Sequence, residues 1–329
     1  MQAESSQLAI GKYMIRLFTA ITLSTSIFTA IMGAKSQAQE LRIVTDIAPI
    51  YALVASVMGE QGQPHLLLGN DEDAHSFQLR PSQARALAQS DLIIWTGDAM
   101  LPFLSDVIET YGKSNQSLPL LQSAGTFLMR GDHASGHTSE HTSESGHTSE
   151  HASENSGIID PHAWLNPTNA AIWLGVISER LSRIDPSHAS SYQKNALAAA
   201  RRLTALDAEL IKILTPIQSR GFVVSHDAFG YFASSYGLNS VGAIQGSDAE
   251  SASAAHLSQL RADFIKQRVV CFFPEIGHDS KLGAQLAMAT GVKIGAPLDP
   301  EGVGLEPSAA LYEELMRKTA HNLRACLQE

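Results

Sequence analysis

The chain has 329 residues, 44% of them hydrophobic, and carries 33 Asp and Glu against 23 Lys and Arg. That length exceeds one ordinary hydrophobic core and sets two domains as the starting expectation, with apolar material for two cores. A net charge of −10 repels nucleic acid and anionic lipid and mildly attracts cations, so no nucleic-acid partner is expected.

The N-terminal stretch reads as a targeting segment. From Met14 the chain runs Ile15-Arg16, then an apolar run from Leu17 to Ala34, then Ser36-Gln37-Ala38 before Gln39-Glu40. A charged start, an apolar middle and a small-x-small end form a cleavable signal peptide. The alternative is a membrane anchor, because the run is nearly long enough to span a bilayer. Thr19, Thr22, Ser24, Thr25, Ser26 and Thr29 within it favour cleavage. No Cys closes the run, so a lipid anchor is not expected. Residues 1–13 read as an extension upstream of a second start at Met14. The expectation is an exported, soluble periplasmic protein with residues 1–38 removed, which leaves it more acidic because Lys12, Arg16 and Lys35 outnumber Glu4. In an oxidising compartment the only two cysteines, Cys271 and Cys326, are expected to join. Closing that loop stabilises by about 4 kcal/mol on a chain-entropy estimate; two buried free thiols are the alternative.

In the mature chain Leu41–Thr45 predicts a short buried strand, and Ile50, Leu53, Val54, Val57 and Met58 after Pro49 recur at helical spacing. A strand over His65–Gly69, a helix from Pro81 through Ala88, a strand over Asp91–Gly97, a helix from Pro102 to Tyr111 and a short strand near Leu120-Leu121 follow. This alternation predicts an α/β lobe over 39–185, interrupted by an insertion at 131–157. The insertion places His133, His137, His141, His147 and His151 among Glu140, Glu144, Glu150 and Glu154. It offers imidazoles and carboxylates to divalent metal but has no large apolar residues for a core, so a mobile metal-attracting loop is expected. The chain turns apolar at Asp160-Pro161-His162-Ala163-Trp164-Leu165-Asn166-Pro167, where the prolines restrict the backbone and His162 is expected to be held in place.

From Pro186, Tyr192, Ala196, Ala199, Leu203, Leu206, Leu210 and Leu214 recur every three or four residues. They predict one helix of roughly eight turns, and 186–217 is read as a link between lobes. The alternation resumes over 218–329. Gly221–Ser225 ends in His226-Asp227, Val269–Phe273 ends in Pro274-Glu275, and Gly291–Ile294 leads to Pro297-Leu298-Asp299-Pro300. Polar residues at strand ends mark the binding edge of α/β folds. The expectation is two α/β lobes facing each other across a cleft, with the chain passing between them once.

Three histidines share one local setting, at a strand end or ordered turn beside aromatic residues: His75 near Phe77, His162 near Trp164, and His226 near Phe229 and Tyr231. A lone histidine is more often an ordinary core or surface residue. Three such placements beside a His tract reverse that weighting. Imidazole suits zinc, with bonds of about 2.0–2.1 Å, and three protein ligands with an open fourth position are common. Asp299 is the acidic candidate for that position; the alternative is a cap or turn aspartate. Glu275 is placed to hydrogen-bond a ligating imidazole, or else to serve a core or turn role. His65, His188, His256, His278 and His321 are expected to be solvated. An exported zinc hydrolase is the competing class, because three His and a water also make a catalytic site. Against it, His-Glu-x-x-His and Gly-x-Ser-x-Gly do not occur.

Ala74–Ser82, Asp160–Pro167, Ser225–Phe232 and Leu298-Asp299-Pro300 resemble the four metal-site segments of the cluster A-I solute-binding proteins, and within that group the ZnuA-type zinc binders of bacterial ABC importers. The resemblance covers residues 40–329. It implies an α/β fold of two pseudo-symmetric (β/α)4 lobes joined by one long rigid helix, with the metal held between them. Zinc is then the transported ligand, an inner-membrane ABC permease the partner, and the protein a monomer rather than an enzyme. Manganese binders of the group carry Glu in place of the third His, so His226 favours zinc and a manganese binder is the alternative. The His-rich loop is a trait of the zinc branch, and Cys271 and Cys326 match a disulfide found in part of it. Ala74 departs from the pattern, since some zinc members carry Glu there, and this puts a carboxylate ligand from the first lobe in doubt.

Overall fold

Ile43-Val44-Thr45 and Leu92-Ile93-Ile94-Trp95 are buried along their whole length, as strands of a parallel sheet covered on both faces must be. The computed structural model describes residues 41–69, 77–131, 158–246 and 254–328. The expected leader at 1–38, His75 and all five tract histidines lie outside the described residues. In the first half β1 (Ile43–Thr45), β2 (His65–Leu66), β3 (Leu92–Trp95) and β4 (Ser117–Pro119) form a parallel sheet in the order β2-β1-β3-β4. A short antiparallel pair, β5 (Arg130–Gly131) and β6 (Ile158–Ile159), brackets the insertion. In the second half β7 (Gly221–His226), β8 (Ser240–Gln245), β9 (Val269–Phe273) and β10 (Lys293–Ile294) form another parallel sheet in the order β10-β9-β7-β8. Counted from its own first strand, each sheet runs second, first, third, fourth, so the same winding occurs twice. Both sheets belong to one compact unit, Leu41–Glu329.

One expectation needs correction, and two features are added to the others. The strand expected near Leu120-Leu121 pairs over Ser117–Pro119 instead. Pro119 has no N–H to extend the ladder, and the chain tightens into a 3-10 turn, Leu120–Gln122, that still buries both leucines. The long helix forms over Ala189–Leu214, with all seven residues of the predicted stripe buried, and spans about 39 Å. It is accompanied by an 18-residue helix, Pro167–Ile184, that the sequence reading did not place. Asn166 caps that helix by accepting the Thr168 and Asn169 N–H groups at 2.8 and 3.3 Å, with Pro167 in its first turn. Finally, the two halves touch beyond the linking helix. The C-terminal helix Leu311–Leu327 packs on the long helix, on β9 and on the first-half helix Ala48–Met58.

That return merges the expected two cores. One apolar cluster runs from Ile43 and Ile94 through Trp173 and Leu206 to Phe273 and Leu327, and a smaller group around Phe264 and Phe272 is separate from it. Arg202 to Glu313 at 2.7 Å and Arg317 to Glu209 at 2.9 Å fasten the C-terminal helix to the long one. Cys271 and Cys326 are disulfide-bonded, so β9 is tied to the last turn of that helix and the free-thiol alternative falls. No helix among the described residues is long and apolar enough to cross a membrane.

Candidate metal centre

The Asp160-Pro161-His162 turn folds on itself. Asp160 Oδ1 accepts the backbone N–H of His162 at 3.0 Å and meets the same residue's ring Nδ1 at 2.8 Å. One carboxylate oxygen therefore sets both the backbone and the ring. His162 is 0% exposed, and a proton held on Nδ1 by the carboxylate puts the ring's lone pair on Nε2, the arrangement of carboxylate–histidine–metal sites.

His226 repeats this at the end of β7. It is also fully buried, and its Nδ1 lies 3.4 Å from Oε1 and 3.3 Å from Oε2 of Glu275. Glu275 follows β9 and pairs with Leu298 across the strand ends. The two imidazoles meet edge to face, with ring centroids 4.9 Å apart at 73°. The structure thus brings together His162 and His226, each backed by a carboxylate. Asp227 keeps part of its side chain in solvent. Even so, loss of water around its carboxyl pushes its pKa up, the Asp160 charge adds to that, and charge on His162 or His226 opposes it. Three carboxylates around two buried imidazoles favour a divalent cation.

Four residues hold the His162 turn, of which the sequence singles out Trp164 and Tyr231 only as aromatic neighbours of the histidines. Tyr231 donates its hydroxyl to Asp160 O at 2.9 Å, Trp164 Nε1 donates to Pro300 O at 2.8 Å, and Tyr312 donates to Trp164 O at 2.8 Å. Asn169 Nδ2 donates to Ala163 O at 3.1 Å and Phe127 O at 2.9 Å, while its Oδ1 accepts the Phe127 N–H at 2.8 Å. Tyr231, Pro300 and Tyr312 come from the second half of the chain, so the turn is fixed by the element it must face.

Asp299 is buried, and its two oxygens accept the Val303 and Gly304 N–H groups at 2.9 and 3.0 Å. These are bonds of a turn aspartate. His65 and His321 are exposed, as expected. His188 is instead pinned by Asp185 at 2.6 Å. His278 is not simply solvated either: its ring stacks on His226 at 5.9 Å and 26°, because the turn after Glu275 folds toward the end of β7. The side chain of His256 lies outside the described residues. Among the described residues no group of three or more His, Cys, Asp or Glu is arranged to hold an ion.

A family model described as the periplasmic zinc-uptake complex component A, ZnuA, matches residues 43–326. The chain belongs to the ZnuA family. It is 42% identical over 327 residues to the high-affinity zinc uptake system protein ZnuA of Paracoccus denitrificans, covering 94% of this chain and 98% of that one. A crystal structure of a ZnuA superposes with a TM-score of 0.72 at 22% identity, covering 88% of this chain and 100% of the other. A ZnuA deletion mutant with zinc bound gives 0.71 at 22% identity, covering 88% and 98%. These two likenesses carry the fold: the ZnuA family has the two-lobed α/β architecture that the doubled strand order describes. His162 and His226 lie within the matched span.

Proposed function

We propose that the chain captures zinc with high affinity in the periplasm and delivers it to an ABC-type permease of the inner membrane, as a transport component and not a catalyst. The observation that carries this reading is the buried pair His162 and His226, edge to face at 4.9 Å, each with Nδ1 turned to a carboxylate. Family membership and the relative named as a high-affinity zinc uptake protein support it. In this proposal His75, His162 and His226 ligate zinc, and Asp299 or water takes the fourth position. His133, His137, His141, His147 and His151 gather the ion. Residues 1–38 are the cleaved leader, 39–185 and 218–329 are the lobes, 186–217 links them, and the protein acts as a monomer. A hydrolase or a manganese binder is disfavoured by the family and by imidazole at position 226.

Metal analysis of the purified protein, followed by zinc and manganese competition titrations, tests the reading. Tight zinc binding with weak manganese binding is expected, together with growth rescue of a zinc-importer-deficient strain in low zinc. Preference for manganese, or no tight metal, would overturn it.

A further inference from the structure

Gly230 opens the helix Gly230–Tyr236, and its φ lies outside the left-handed region. The backbone there asks for no glycine, so what the position uses is the missing side chain. A methyl group on Gly230 would stand 3.3 Å from Asp160 Oδ2 and 3.7 Å from Met129 Cε. The second distance is an ordinary contact, and the first is tighter than an unstrained one. The other oxygen of that carboxylate is the one that sets His162, at 3.0 Å from its N–H and 2.8 Å from its ring Nδ1. Gly230 thus borders the group that holds a proposed ligand.

Asp160 has little room to give way. Its N–H donates to Met129 O at 3.0 Å, and its main-chain O accepts the Tyr231 hydroxyl at 2.9 Å. The helix cannot back off freely either, because the hydroxyl oxygen of Tyr231, the residue after Gly230, accepts the Met129 N–H at 2.7 Å, and its ring packs edge to face on Phe127 with centroids 6.2 Å apart. A methyl group at position 230 is therefore relieved by turning the Asp160 carboxylate, and that turn draws Oδ1 off the His162 ring.

We propose that Gly230 is a positioning residue for zinc capture: its bare Cα leaves the space in which the Asp160 carboxylate stays aligned with His162 Nδ1. The inference rests on the capture reading above, in which His162 ligates the ion. Carboxylates behind ligating imidazoles fix ring orientation and tautomer, and disturbing them costs about 10–100-fold in metal affinity. One methyl group misaligns the pair without removing it and so acts at the lower end of that range.

The test uses the full-length protein, with calorimetric zinc titration, and with urea unfolding and nitrogen NMR of the His162 ring in the zinc-free state. Gly230→Ala should weaken zinc binding about tenfold with no fall in the urea midpoint, because alanine suits a helix better than glycine. The ring shifts of His162 should move from a single Nδ1-protonated form toward a mixture of the two tautomers. In an Asp160→Ala background, which takes away both the carboxylate and the crowding, Gly230→Ala should change neither affinity nor ring shifts. Wild-type affinity and ring shifts in Gly230→Ala would overturn the proposal. An equal loss in the Asp160→Ala background would also overturn it, since the methyl group would then act elsewhere. So would a loss of affinity matched by a fall in the urea midpoint with unmoved ring shifts, which is the mark of packing alone. Failure of wild type to bind zinc tightly would instead refute the capture reading and leave the ring shifts to decide the role of Gly230.

Discussion

The Tyr231 hydroxyl donates to the main-chain oxygen of Asp160 at 2.9 Å. The same oxygen of Tyr231 accepts the Met129 N–H at 2.7 Å. One phenol from the second half thus fastens both strands of chain that flank the insertion, two residues from His162. Tyr231→Phe keeps the ring packing and removes both bonds. Unfolding in urea should show a loss of about 1–3 kcal/mol, the cost of stranding buried partners. Zinc titration should show weaker binding, because the His162 turn loses a tether. Unaltered zinc affinity would show that the remaining bonds hold the turn by themselves.

A second prediction separates ligation from orientation. His75→Ala, His162→Ala or His226→Ala should each abolish high-affinity zinc binding with the fold retained, since each removes an inner bond that no neighbour replaces. Asp160→Asn leaves the ring but replaces the carboxylate that holds Nδ1 at 2.8 Å, so affinity should fall about 10–100-fold rather than vanish. Calorimetry on the four variants checks this ordering. An Asp160→Asn protein as weak as His162→Ala would make Asp160 a ligand in its own right.

How far the sequence carries the fold depends on whether a feature is local. The long helix is legible because its apolar stripe repeats from Tyr192 to Leu214, nearly the whole of a 26-residue helix, and buries as the spacing demands. The helix from Pro167 to Ile184 carries its own signals, an Asn cap, a first-turn Pro and apolar Trp173, Leu174, Ile177 and Leu181 at helical spacing, but they overlap the metal motif that ends at Pro167. The return of the C-terminal helix to Ala48–Met58 was not legible, because packing partners more than 250 residues apart leave no local pattern. In the site, His162 and His226 stood out by motif. The roles of Tyr231, Tyr312 and Asn169 did not, since each is an ordinary core residue until the partner backbone is in place. The place of His278 is not legible either, because its sequence context is polar while its spatial neighbour is His226.

The disulfide predicts a stability effect separate from metal. Cys271 and Cys326 are 55 residues apart, and opening a loop of that size costs about 4 kcal/mol on the chain-entropy estimate. Cys326→Ser should lower the unfolding free energy by about that amount. Zinc affinity should change little, because Cys271 sits at the middle of β9, whose pairing with β7 and β10 holds the strand without the bond. A large loss of affinity with little loss of stability would place the bond's role at the metal site.

The last prediction concerns Asp46, which follows β1 at a strand end and is 1% exposed. Its Oδ2 accepts the Thr96 N–H at 2.7 Å, and its Oδ1 has no hydrogen-bond partner among the described residues. Burial raises its pKa from 3.8 to about 6, against the lowering effect of the Thr96 bonds. A carboxyl whose pKa is raised on folding binds its proton more tightly in the native state than in the unfolded chain. Between pH 3.8 and about 6 the native state therefore holds more protons, and stability falls as pH rises through that window. The contribution is fully present below the lower value and lost above the upper one. A shift of about two pH units corresponds to about 3 kcal/mol. Asp46→Asn cannot ionise, so its unfolding free energy relative to wild type should rise by about 2 kcal/mol between pH 4 and pH 7. Urea unfolding of both proteins at half-unit steps of pH measures that difference, and effects of the other titrating groups cancel in it. A difference that stays flat across the window would mean that Asp46 is ionised in the native state at pH 4, with a partner for its second oxygen.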